Sequence, residues 1–296
     1  MKKLKGIIFI NAFRVPRQSI EQANRLKCEF EKLNVDVQII DNGFLQVGIN
    51  ENGLTCEIDC DFAVYLDKDK YLSEILINSG IRLFNSHDTI RLCDDKAQTY
   101  IALSKKGIAV PKTIFAPLCY KADAKIDINH LKEIENKLGY PIIIKESFGS
   151  MGVGVFKADN FNQLTEYSEK LKLKPHLFQE YIGEKFGTDV RVIVIGGKVV
   201  AAMERVNDSD FRSNIAAGGK GNRIDLPKEF IAIAQESAKA VNADYCGVDI
   251  LFGKNGEPVI CEVNSNAFFE GIEKVSGVNV AKLYCQYIID KLTKKI

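Results

Sequence analysis

Residues 247–266 have the sequence GVDILFGKNGEPVICEVNSN, and this stretch decides the fold of the C-terminal part of the chain. Two apolar runs, 248–252 and 258–263, flank the polar, glycine-rich segment 253–256. Apolar runs of strand length that are joined by a short Gly-rich turn predict two neighbouring β-strands. We therefore expect a β-sheet in this part of the chain, with these two strands next to each other.

Each predicted strand carries an acidic residue, Asp249 in the first and Glu262 in the second. Asn264 follows Glu262 by two residues, so alternation along the strand places both side chains on one face. Two carboxylates and an amide oxygen on neighbouring strands are the ligands that magnesium takes when it also carries nucleotide phosphates. The alternative is a pair of strand-end carboxylates neutralised by nearby Lys or Arg residues, and this stretch alone does not decide between them.

The composition is that of an ordinary globular protein. The 296 residues leave room for one large or two to three small domains, and 46% of them are hydrophobic and 27% charged. The net charge of +1 argues against nucleic acid or an anionic membrane as a partner. No apolar run approaches the roughly 18 residues that a membrane span needs. The short apolar run after the basic N-terminus predicts a first strand rather than a signal peptide.

Eight cysteines are spread along the chain without a Cys-x-x-Cys motif. Cys56 and Cys60 have no histidine near them in sequence, which argues against a zinc site. Scattered thiols in a chain without a signal peptide are typical of the cytoplasm, so we expect a cytoplasmic protein.

In the first third of the chain, predicted strands alternate with predicted helices. The strands are 6–11, 35–40, 62–66 and 81–84, and the helices are 16–33 and 71–78. This alternation predicts a parallel sheet covered by helices, with ligands at the carboxyl ends of the strands. Asn11, Asn85 and Ser86 are expected at such ends. The first turn lacks GxGxxG, which argues against a dinucleotide-binding domain.

The rest of the chain contains further elements and divides at soft boundaries. Periodicity predicts helices at 94–106, 129–138, 160–171, 227–242 and 279–292, and strands at 112–116, 141–146 and 176–182. Residues 189–206 predict a hairpin that turns at Gly196 and Gly197. We predict three domains, spanning residues 1–87, 88–185 and 186–296.

The segment 149–154, GSMGVG, joins two predicted strands and is rich in small residues. Its backbone amides could surround an anion, but the segment is no P-loop, and on its own a Gly-rich segment of this kind is more often a flexible hairpin tip. Lys145 ends the preceding apolar strand, where its ammonium must meet an anion or extend to solvent. A phosphate held by the loop would supply that anion.

Three arginines, Arg191, Arg205 and Arg212, would converge near the acidic pair if the hairpin 189–206 packs beside it. Asp189 and Arg191 share one face by alternation. Guanidinium groups suit carboxylates and phosphoryl oxygens, but cross-strand ion pairs are an equally good interpretation. No Ser or Cys has a base near it in sequence, and the three histidines are isolated, which argues against a hydrolase with a covalent intermediate.

Taken together, these motifs resemble the ATP-grasp superfamily and, within it, the RimK-type glutamate ligases. The resemblance runs from about residue 88 to the end of the chain and is carried, in order, by PIIIKESFGSMGVGV, QEYI, GTDVRVIVIGGKVVAAMERV, DFRSNIAAGG, GVDILF, ICEVNSN and GIEKVSGVNVA. It implies a mixed α/β and α+β fold: two α+β subdomains that hold ATP between them, preceded by a small parallel-sheet α/β domain.

The resemblance also implies a role for each matching residue. ATP phosphates would be bound by Lys96, Lys145 and the loop residues Gly149, Ser150, Met151 and Gly152. The adenine would contact Glu180, Tyr181 and Ile182, and the ribose would contact Asp189. Arg212, Ser213 and Asn214 would lie near the phosphates, with Arg191, Arg205 and Arg212 as the catalytic set. Magnesium, or manganese in its place, would be held by Asp249, Glu262 and Asn264, with Glu262 bridging two ions.

One departure from the family pattern concerns the last motif, which usually has the form Glu-Val-Asn-x-x-Pro-Gly. Here Ala267 and Phe268 stand where Pro and Gly are expected. The metal ligands are intact, but the loop that commonly borders the substrate is altered. This change leaves room for an acceptor other than the usual one.

The implied activity is ATP-dependent ligation of a carboxylate and an amine through an acyl phosphate. Glutamate is the favoured amino acid, the acceptor is a protein C-terminus or a small carboxylate, and a homo-oligomer is expected by analogy. The alternatives are a regulatory nucleotide-binding protein, a kinase-like phosphotransferase, and a ligase of cofactor or carrier-protein biosynthesis. Intact Lys145, Asp249, Glu262 and Asn264 argue against the regulatory alternative.

Overall fold

The computed structural model describes residues 3–13, 17–214 and 218–293. Pro16, the predicted start of the first helix, lies outside these ranges. So do residues 1–2 at the start of the predicted first domain, residues 294–296 at the end of the predicted third domain, and residues 215–217, the Ile-Ala-Ala of DFRSNIAAGG. The described helices are α1 Arg17–Lys32, α2 Lys70–Asn78, α3 His87–Asp94, α4 Lys96–Ser104, α5 Ile128–Leu138, α6 Phe161–Leu171, α7 Lys228–Ala240, α8 Glu270–Ser276 and α9 Val280–Thr293.

The strands of the described ranges form three main sheets and one small hairpin. They are β1 Lys5–Ile10, β2 Asp36–Asp41, β3 Gly48–Asn50, β4 Gly53–Thr55, β5 Phe62–Tyr65, β6 Arg82–Phe84, β7 Thr113–Phe115, β8 Ile142–Glu146, β9 Val155–Ala158, β10 His176–Glu180, β11 Thr188–Ile195, β12 Lys198–Val206, β13 Lys220–Asn222, β14 Tyr245–Phe252 and β15 Pro258–Asn264.

The N-terminal sheet has the order β2-β1-β5-β6, and all its pairs are parallel, which confirms the prediction. Parallel strands are buried on both faces, and this explains why β5 is apolar at all four positions. Helix α1 packs against the sheet through Ala23, Leu26 and Phe30. The carboxyl ends of β1, β2 and β5 therefore lie side by side at one edge of the sheet.

The central sheet has the order β7-β10-β8-β9 and is antiparallel. Helices α5 and α6 cover one face, and Leu131, Ile134 and Leu164 share a core there with Ile144 of β8. The apolar run that ends in Lys145 is thus a central strand of this sheet, bonded to β10 on one side and β9 on the other.

The C-terminal sheet has the order β13-β12-β11-β14-β15, and every pair is antiparallel. The hairpin predicted from residues 247–266 is β14 and β15, and the hairpin 189–206 is β11 and β12. On one face, Val192, Val248 and Ile250 pack with α7 and with residues 93–108. The opposite face is apolar at one end and charged at the other.

A large apolar core joins the N-terminal sheet to the C-terminal part of the chain. Phe30 and Phe62 share this core with Ile193 of β11 and with Tyr284 and Ile288 of α9. Ion pairs add to it at what we call the α1–α9 seam, formed by Arg25, Glu29, Lys32, Glu273 and Asn279. Asn85, which the sequence placed at a ligand edge, is instead fully hydrogen-bonded to backbone groups of Asp244, Tyr245 and Ser265.

Helix 94–106 of the sequence prediction was wrong at its start. The structure has two helices, α3 and α4, separated at Asp95, whose side chain accepts hydrogen bonds from the amides of Ala97 and Gln98 at 2.9 and 3.3 Å. An N-cap of this kind begins a new helix.

Helix α8 and the hairpin β3–β4 were also not predicted. The predicted domain boundaries stay predictions. No helix in the described ranges is long and apolar enough to cross a membrane.

Candidate functional site

The charged end of the C-terminal sheet is produced by strand register. Arg191 of β11 lies opposite Asp249 of β14, and Asp249 lies opposite Glu262 of β15. Asp189 lies opposite Arg205 of β12. Because side chains alternate between faces and opposite residues share one, all five project from the same face. Gly247, two residues before Asp249, has no side chain to block the Arg191 side chain or Ala267, which lie over it.

Four of these side chains form what we call the central network: Asp189, Arg191, Arg205 and Asp249. Arg205 binds Asp189 through two bonds, Nε to Oδ1 at 2.7 Å and Nη2 to Oδ2 at 2.5 Å. Its Nη2 also lies 2.9 Å from Asp249 Oδ2. Arg191 donates to both oxygens of Asp249, with Nη2 to Oδ2 at 2.7 Å. The arginine–carboxylate ion pairs that the sequence left as an alternative are therefore present.

Burial shapes the protonation of this network. It works to raise the pKa of the Asp249 carboxyl, but Arg191 and Arg205 outweigh it and hold that pKa below its usual range. Burial also works to lower the pKa of Arg205, and Asp249 and Asp189 outweigh it and raise that pKa. Asp189 is 4% exposed and is committed to Arg205. The predicted contact with ribose would require Asp189 to exchange that partner.

Glu262 and Asn264 have fewer side-chain partners than the residues of the central network. Lys96 Nζ lies 3.4 Å from Glu262 Oε1, and Asn264 makes no side-chain hydrogen bond within the described part of the chain. A register shift between Asp249 and Ile250 leaves Cys261 without an opposite residue in β14. The bulge keeps Glu262 opposite Asp249 while the Cys261 carbonyl is free to accept another donor.

That donor is Tyr100 of α4, which the sequence analysis did not single out. Tyr100 donates a short hydrogen bond to the Cys261 carbonyl oxygen and receives one from Lys145 Nζ at 3.0 Å. Lys145 is 7% exposed. Burial works to lower the pKa of Lys145, but Tyr100, Cys261 and Glu262 outweigh it and raise that pKa, so the ammonium stays charged. In the sequence, Tyr100 can be recognised only as an apolar position of a predicted helix. That pattern does not reveal which group its hydroxyl binds.

The loop 149–154 lies beside these side chains, and two cations donate hydrogen bonds to its carbonyl groups. Lys96 Nζ donates to the Gly149 carbonyl at 2.7 Å, and Arg212 Nη1 donates to the Gly152 carbonyl at 3.1 Å. Gly149, Met151 and Gly152 all have positive φ angles, a conformation that glycine adopts at little cost. The main chain of Lys96 also donates to Ser147 at 2.9 Å, which fixes the start of α4 beside the loop.

These elements enclose a cleft between the central and C-terminal sheets, which we call the first cleft. Its polar wall contains Lys96, Lys145, Asp189, Arg205, Asp249 and Glu262; its lid contains Ser150, Met151, Gly152, Arg212, Ser213 and Asn214; and its far end contains Glu180, Tyr181 and Ile182. Ile143, Leu251 and Phe211 give it apolar surface. The structure thus brings together the residues that the sequence predicted for nucleotide binding. Gly149, Arg191 and Asn264 are the predicted residues that do not line it.

The matching family model decides the family: residues 93–288 match the RimK-like ATP-grasp domain. This chain belongs to the RimK-like ATP-grasp family. Like the family, it is an ATP-dependent ligase that joins a carboxylate and an amine in a carbon–nitrogen bond.

Curated relatives extend the similarity to the N-terminal part. A probable alpha-L-glutamate ligase 2 of Pseudoalteromonas atlantica is 32% identical over 294 residues, which cover 92% of each chain. A probable alpha-L-glutamate ligase of Vibrio atlanticus is 40% identical over 212 residues, 71% of this chain and 67% of that protein. Human N-acetylaspartylglutamate synthase A is 27% identical over 95% of this chain and 74% of its own length.

Solved structures show the same fold at low identity. The D-alanine–D-alanine ligase of Bacillus anthracis in complex with ATP superposes with a TM-score of 0.72 at 18% identity, covering 98% of this chain and 97% of that one. The ATP-grasp ligase PsnB in complex with a minimal precursor, Mg and ADP superposes with a TM-score of 0.71 at 18% identity, covering 99% of each chain.

A second cleft of this RimK-like enzyme, of about 660 Å³, adjoins the first and shares Ser150, Met151, Arg205, Asn214 and Glu262 with it. Arg191 and Asn264 line this cleft rather than the first. The C-terminal sheet thus faces both clefts through one row of side chains. The remaining lining comes from the N-terminal sheet and from residues 266–274, which include Ala267 and Phe268.

The oxygen donors fit the magnesium that the fold implies. Glu262 and Asn264 present a carboxylate and an unpartnered amide to the clefts, and Asp249 lies opposite Glu262 in the sheet. No cluster of three His, Cys, Asp or Glu residues that could hold a metal occurs among the described residues, and the predicted set contains two carboxylates and an amide. Asp249 is bound to two arginines, so Glu262 and Asn264 are the more accessible of the three predicted ligands.

Proposed function

We propose that this enzyme adds an amino acid, with glutamate favoured, to a carboxylate acceptor. The names of the relatives, alpha-L-glutamate ligase and N-acetylaspartylglutamate synthase, support glutamate as the added amino acid. The observation that carries the proposal is that Lys145 and Lys96 line the first cleft together with Glu262, which also lines the second cleft. The first cleft suits a nucleotide and the second a substrate.

ATP would occupy the first cleft with its phosphates toward the lid. Lys145 and Lys96 supply positive charge there, and the amides of loop 149–152 supply neutral donors. Glu180, Tyr181 and Ile182 would contact the adenine at the far end. Asp189 orients Arg205 through two hydrogen bonds, and this support is the role that its contacts favour over direct contact with ribose.

The reaction would proceed in two transfers. A carboxylate oxygen of the acceptor attacks the γ-phosphorus of ATP, ADP leaves, and an acyl phosphate forms. The amine nitrogen then attacks the acyl carbon, phosphate leaves, and the amine loses a proton as the amide forms. Arg191, Arg205 and Arg212 would stabilise the charge on the transferred phosphoryl group, and no covalent bond to the protein is needed.

Magnesium, with manganese as the alternative, would be held by Asp249, Glu262 and Asn264 and would supply neutralisation of phosphate charge. Arg191 and Arg205 already hold Asp249 in an orientation facing Glu262. Lys96, which contacts both Glu262 and the lid carbonyl of Gly149, would bring the lid toward the metal ligands when phosphates bind.

The acceptor would bind in the second cleft, next to Asn264 and Phe268. A protein C-terminus and a small carboxylate are both compatible with its size. A cytoplasmic location and a homo-oligomeric state belong to this proposal, on the grounds of free cysteines and family analogy.

The experiment that tests the proposal measures ADP release with a panel of amino acids and carboxylates, with mass spectrometry of the products. Lys145→Ala and Glu262→Ala should each lower kcat/KM by about 100-fold or more, because the first removes a cation that faces the phosphates and the second removes a proposed magnesium ligand. Lys174→Ala, which removes an exposed lysine outside both clefts, is the matched control and should leave turnover unchanged. Unchanged turnover in the first two variants would contradict the proposed roles, and ADP release without an amine would favour a phosphotransferase.

A further inference from the structure

Polar residues follow three strands of the N-terminal sheet, and two of them, Asn11 and Asp67, line the second cleft. Asn11 follows β1, Asn42 follows β2 and Asp67 follows β5. Asn11 Nδ2 lies 3.2 and 3.1 Å from the two Asp67 carboxylate oxygens, and Asn42 Nδ2 donates to Oδ2 at 2.6 Å. The amide of Lys68 donates to Oδ1 at 2.7 Å. These donors are all neutral, so they orient the carboxylate without neutralising its charge.

The other charged side chains that line the second cleft have oppositely charged partners. These pairs are Lys68 with Asp94, Glu262 with Lys96, Glu270 with Lys274, Arg191 with Asp249, and Arg205 with both Asp189 and Asp249. Within the parts of the chain that the structure describes, no Lys, Arg or His pairs with Asp67. Among the described residues, Asp67 is therefore the lining carboxylate that lacks a cation.

The surroundings of Asp67 make an unpaired charge costly. The residue is 9% exposed. Burial raises the pKa of its carboxyl and Asp69 raises it further, while the Lys68 amide and Asn11 lower it in part. A buried carboxylate gains most from a cation that forms a charge-assisted hydrogen bond with it. The geometry of the cleft leaves the ligand as the source of that cation.

We propose that Asp67 binds an ammonium group of the acceptor, so that the acceptor is an amino acid or short peptide with a free amino group. This inference rests on the proposed function. The amine of the incoming amino acid must attack beside Glu262 and Asn264, which the C-terminal sheet contributes to the cleft, and must be neutral to do so. The ammonium at Asp67 therefore belongs to the molecule whose carboxylate is activated.

The inference separates two classes of acceptor. A free amino acid or peptide carries a cation that Asp67 can bind. An N-acylated amino acid or a polycarboxylate such as a tricarboxylic acid carries none and adds negative charge to the cleft. Asp67 would thus determine acceptor specificity, and it would act on binding rather than on the phosphoryl transfer.

The test compares matched acceptors: alanine, aspartate and dialanine, each with its N-acetyl derivative, at saturating glutamate and ATP. The readouts are ADP release and mass spectrometry of the amide formed. For wild type, kcat/KM should be about 10- to 100-fold higher for the free compounds, the usual effect of a hydrogen bond to a charged group. Asp67→Asn should bring that ratio close to one by raising KM for the free compounds while kcat changes little.

Glu270→Gln is the matched control, because Glu270 lines the same cleft but has Lys274 as its own cation. This variant should keep the wild-type ratio. A wild-type preference for the acetylated compounds, or an unchanged ratio in Asp67→Asn, would overturn the inference.

Two further measurements keep the inference separate from other failures. If thermal unfolding shows that Asp67→Asn does not fold, Asp67→Ser is tested instead, because it removes the charge with a shorter side chain. The wild-type ratio of kcat/KM between free and acetylated compounds tests the inference without any variant. If wild type forms no amide with any pair, the proposed function fails. Calorimetry then measures the dissociation constants of the free and acetylated compounds in the presence of ADP and magnesium. Tighter binding of the free compounds supports the inference, and equal or weaker binding overturns it.

Discussion

Two sets of charged side chains connect distant parts of this chain, and they differ in burial. The central network lies on one face of the C-terminal sheet, where Arg205 and Asp249 are each 4% exposed or less. The α1–α9 seam joins the N-terminal helix to the C-terminal one, and its cations Arg25 and Lys32 are largely exposed. Both sets hold buried carboxylates in place, but only in the network are the cations Arg191 and Arg205 largely buried as well.

The difference separates buried charges at the candidate site from charges that join two helices at the surface. A buried ion pair costs much desolvation and is seldom the most stable solution for a core, so its presence favours a functional reason. An exposed pair costs little and contributes little. We expect the two sets to respond to single substitutions by very different amounts.

The largest effect is expected for Arg205→Met. This change leaves Asp189 buried without its cation and removes one of two cations from Asp249. We expect the free energy of unfolding to fall by about 3–5 kcal/mol, the usual consequence of breaking a buried pair. Urea denaturation of the purified protein measures it.

Lys274→Met, which breaks an exposed pair, is the control and should leave the denaturation midpoint unchanged. If Arg205→Met costs as little as the control, the network and the seam do not differ in the way that their burial indicates.

A smaller effect is expected for Tyr100→Phe, at the nucleotide end of the polar wall. The change removes the hydroxyl between Lys145 and the Cys261 carbonyl and costs about 1–2 kcal/mol of stability. Because Lys145 loses its orientation, KM for ATP should rise by about 10-fold. Tyr287→Phe is the matched control, because it removes a hydroxyl with similar hydrogen bonds in another part of the molecule. Tyr287 receives a hydrogen bond from Lys291 at 3.0 Å and donates one to Asp244 at 2.5 Å.

The Tyr287 variant should lose stability without a change in KM for ATP. Equal KM values for the two variants would show that Tyr100 serves packing only and has no part in nucleotide binding.

The smallest effect is expected at the seam, for Glu29→Gln. Burial works to raise the pKa of Glu29, but Asn279, Lys32 and Arg25 outweigh it and lower that pKa. A lowered folded pKa gives stability that is complete above the ordinary glutamate pKa of about 4.3 and is lost as the pH falls through the folded value. The variant should lose about 0.5 kcal/mol near neutral pH.

Denaturation midpoints between about pH 6 and pH 3 check this prediction. The wild-type midpoint should fall toward that of Glu29→Gln as the acid limit is approached. A constant gap between the two proteins across this range would assign the effect to packing instead of charge.

Much of the nucleotide cleft could be predicted from the sequence because its parts are local. Glu262 and Asn264 share a face through simple alternation, and Lys145 precedes the glycine loop by four residues. What escaped prediction depends on tertiary contacts. Tyr100 reaches Cys261 across 161 positions of sequence, and no local pattern specifies that pairing. Helix α3 was not predicted, and the helix predicted at 94–106 began two residues before α4 although Asp95 is a recognisable N-cap.

The second cleft was harder to predict because its walls come from different parts of the chain. Asp67 and Asn11 follow strands that read as ordinary parallel-sheet elements, and their meeting depends on strand order. Order in a parallel sheet is set by crossover connections, which periodicity alone does not reveal. Asn85 shows the converse case, since its position at a strand end indicated a ligand but its four hydrogen bonds hold two parts of the molecule together.

The core shared by α1, the N-terminal sheet and α9 has a consequence for biosynthesis. Phe30 and Phe62 are translated early, whereas Tyr284 and Ile288, which cover the same core, are among the last residues described. The N-terminal sheet therefore keeps apolar surface exposed on the ribosome until α9 has been translated and has emerged. The second cleft, which is lined from both the N-terminal and the C-terminal parts of the chain, is complete only after α9 has covered that surface.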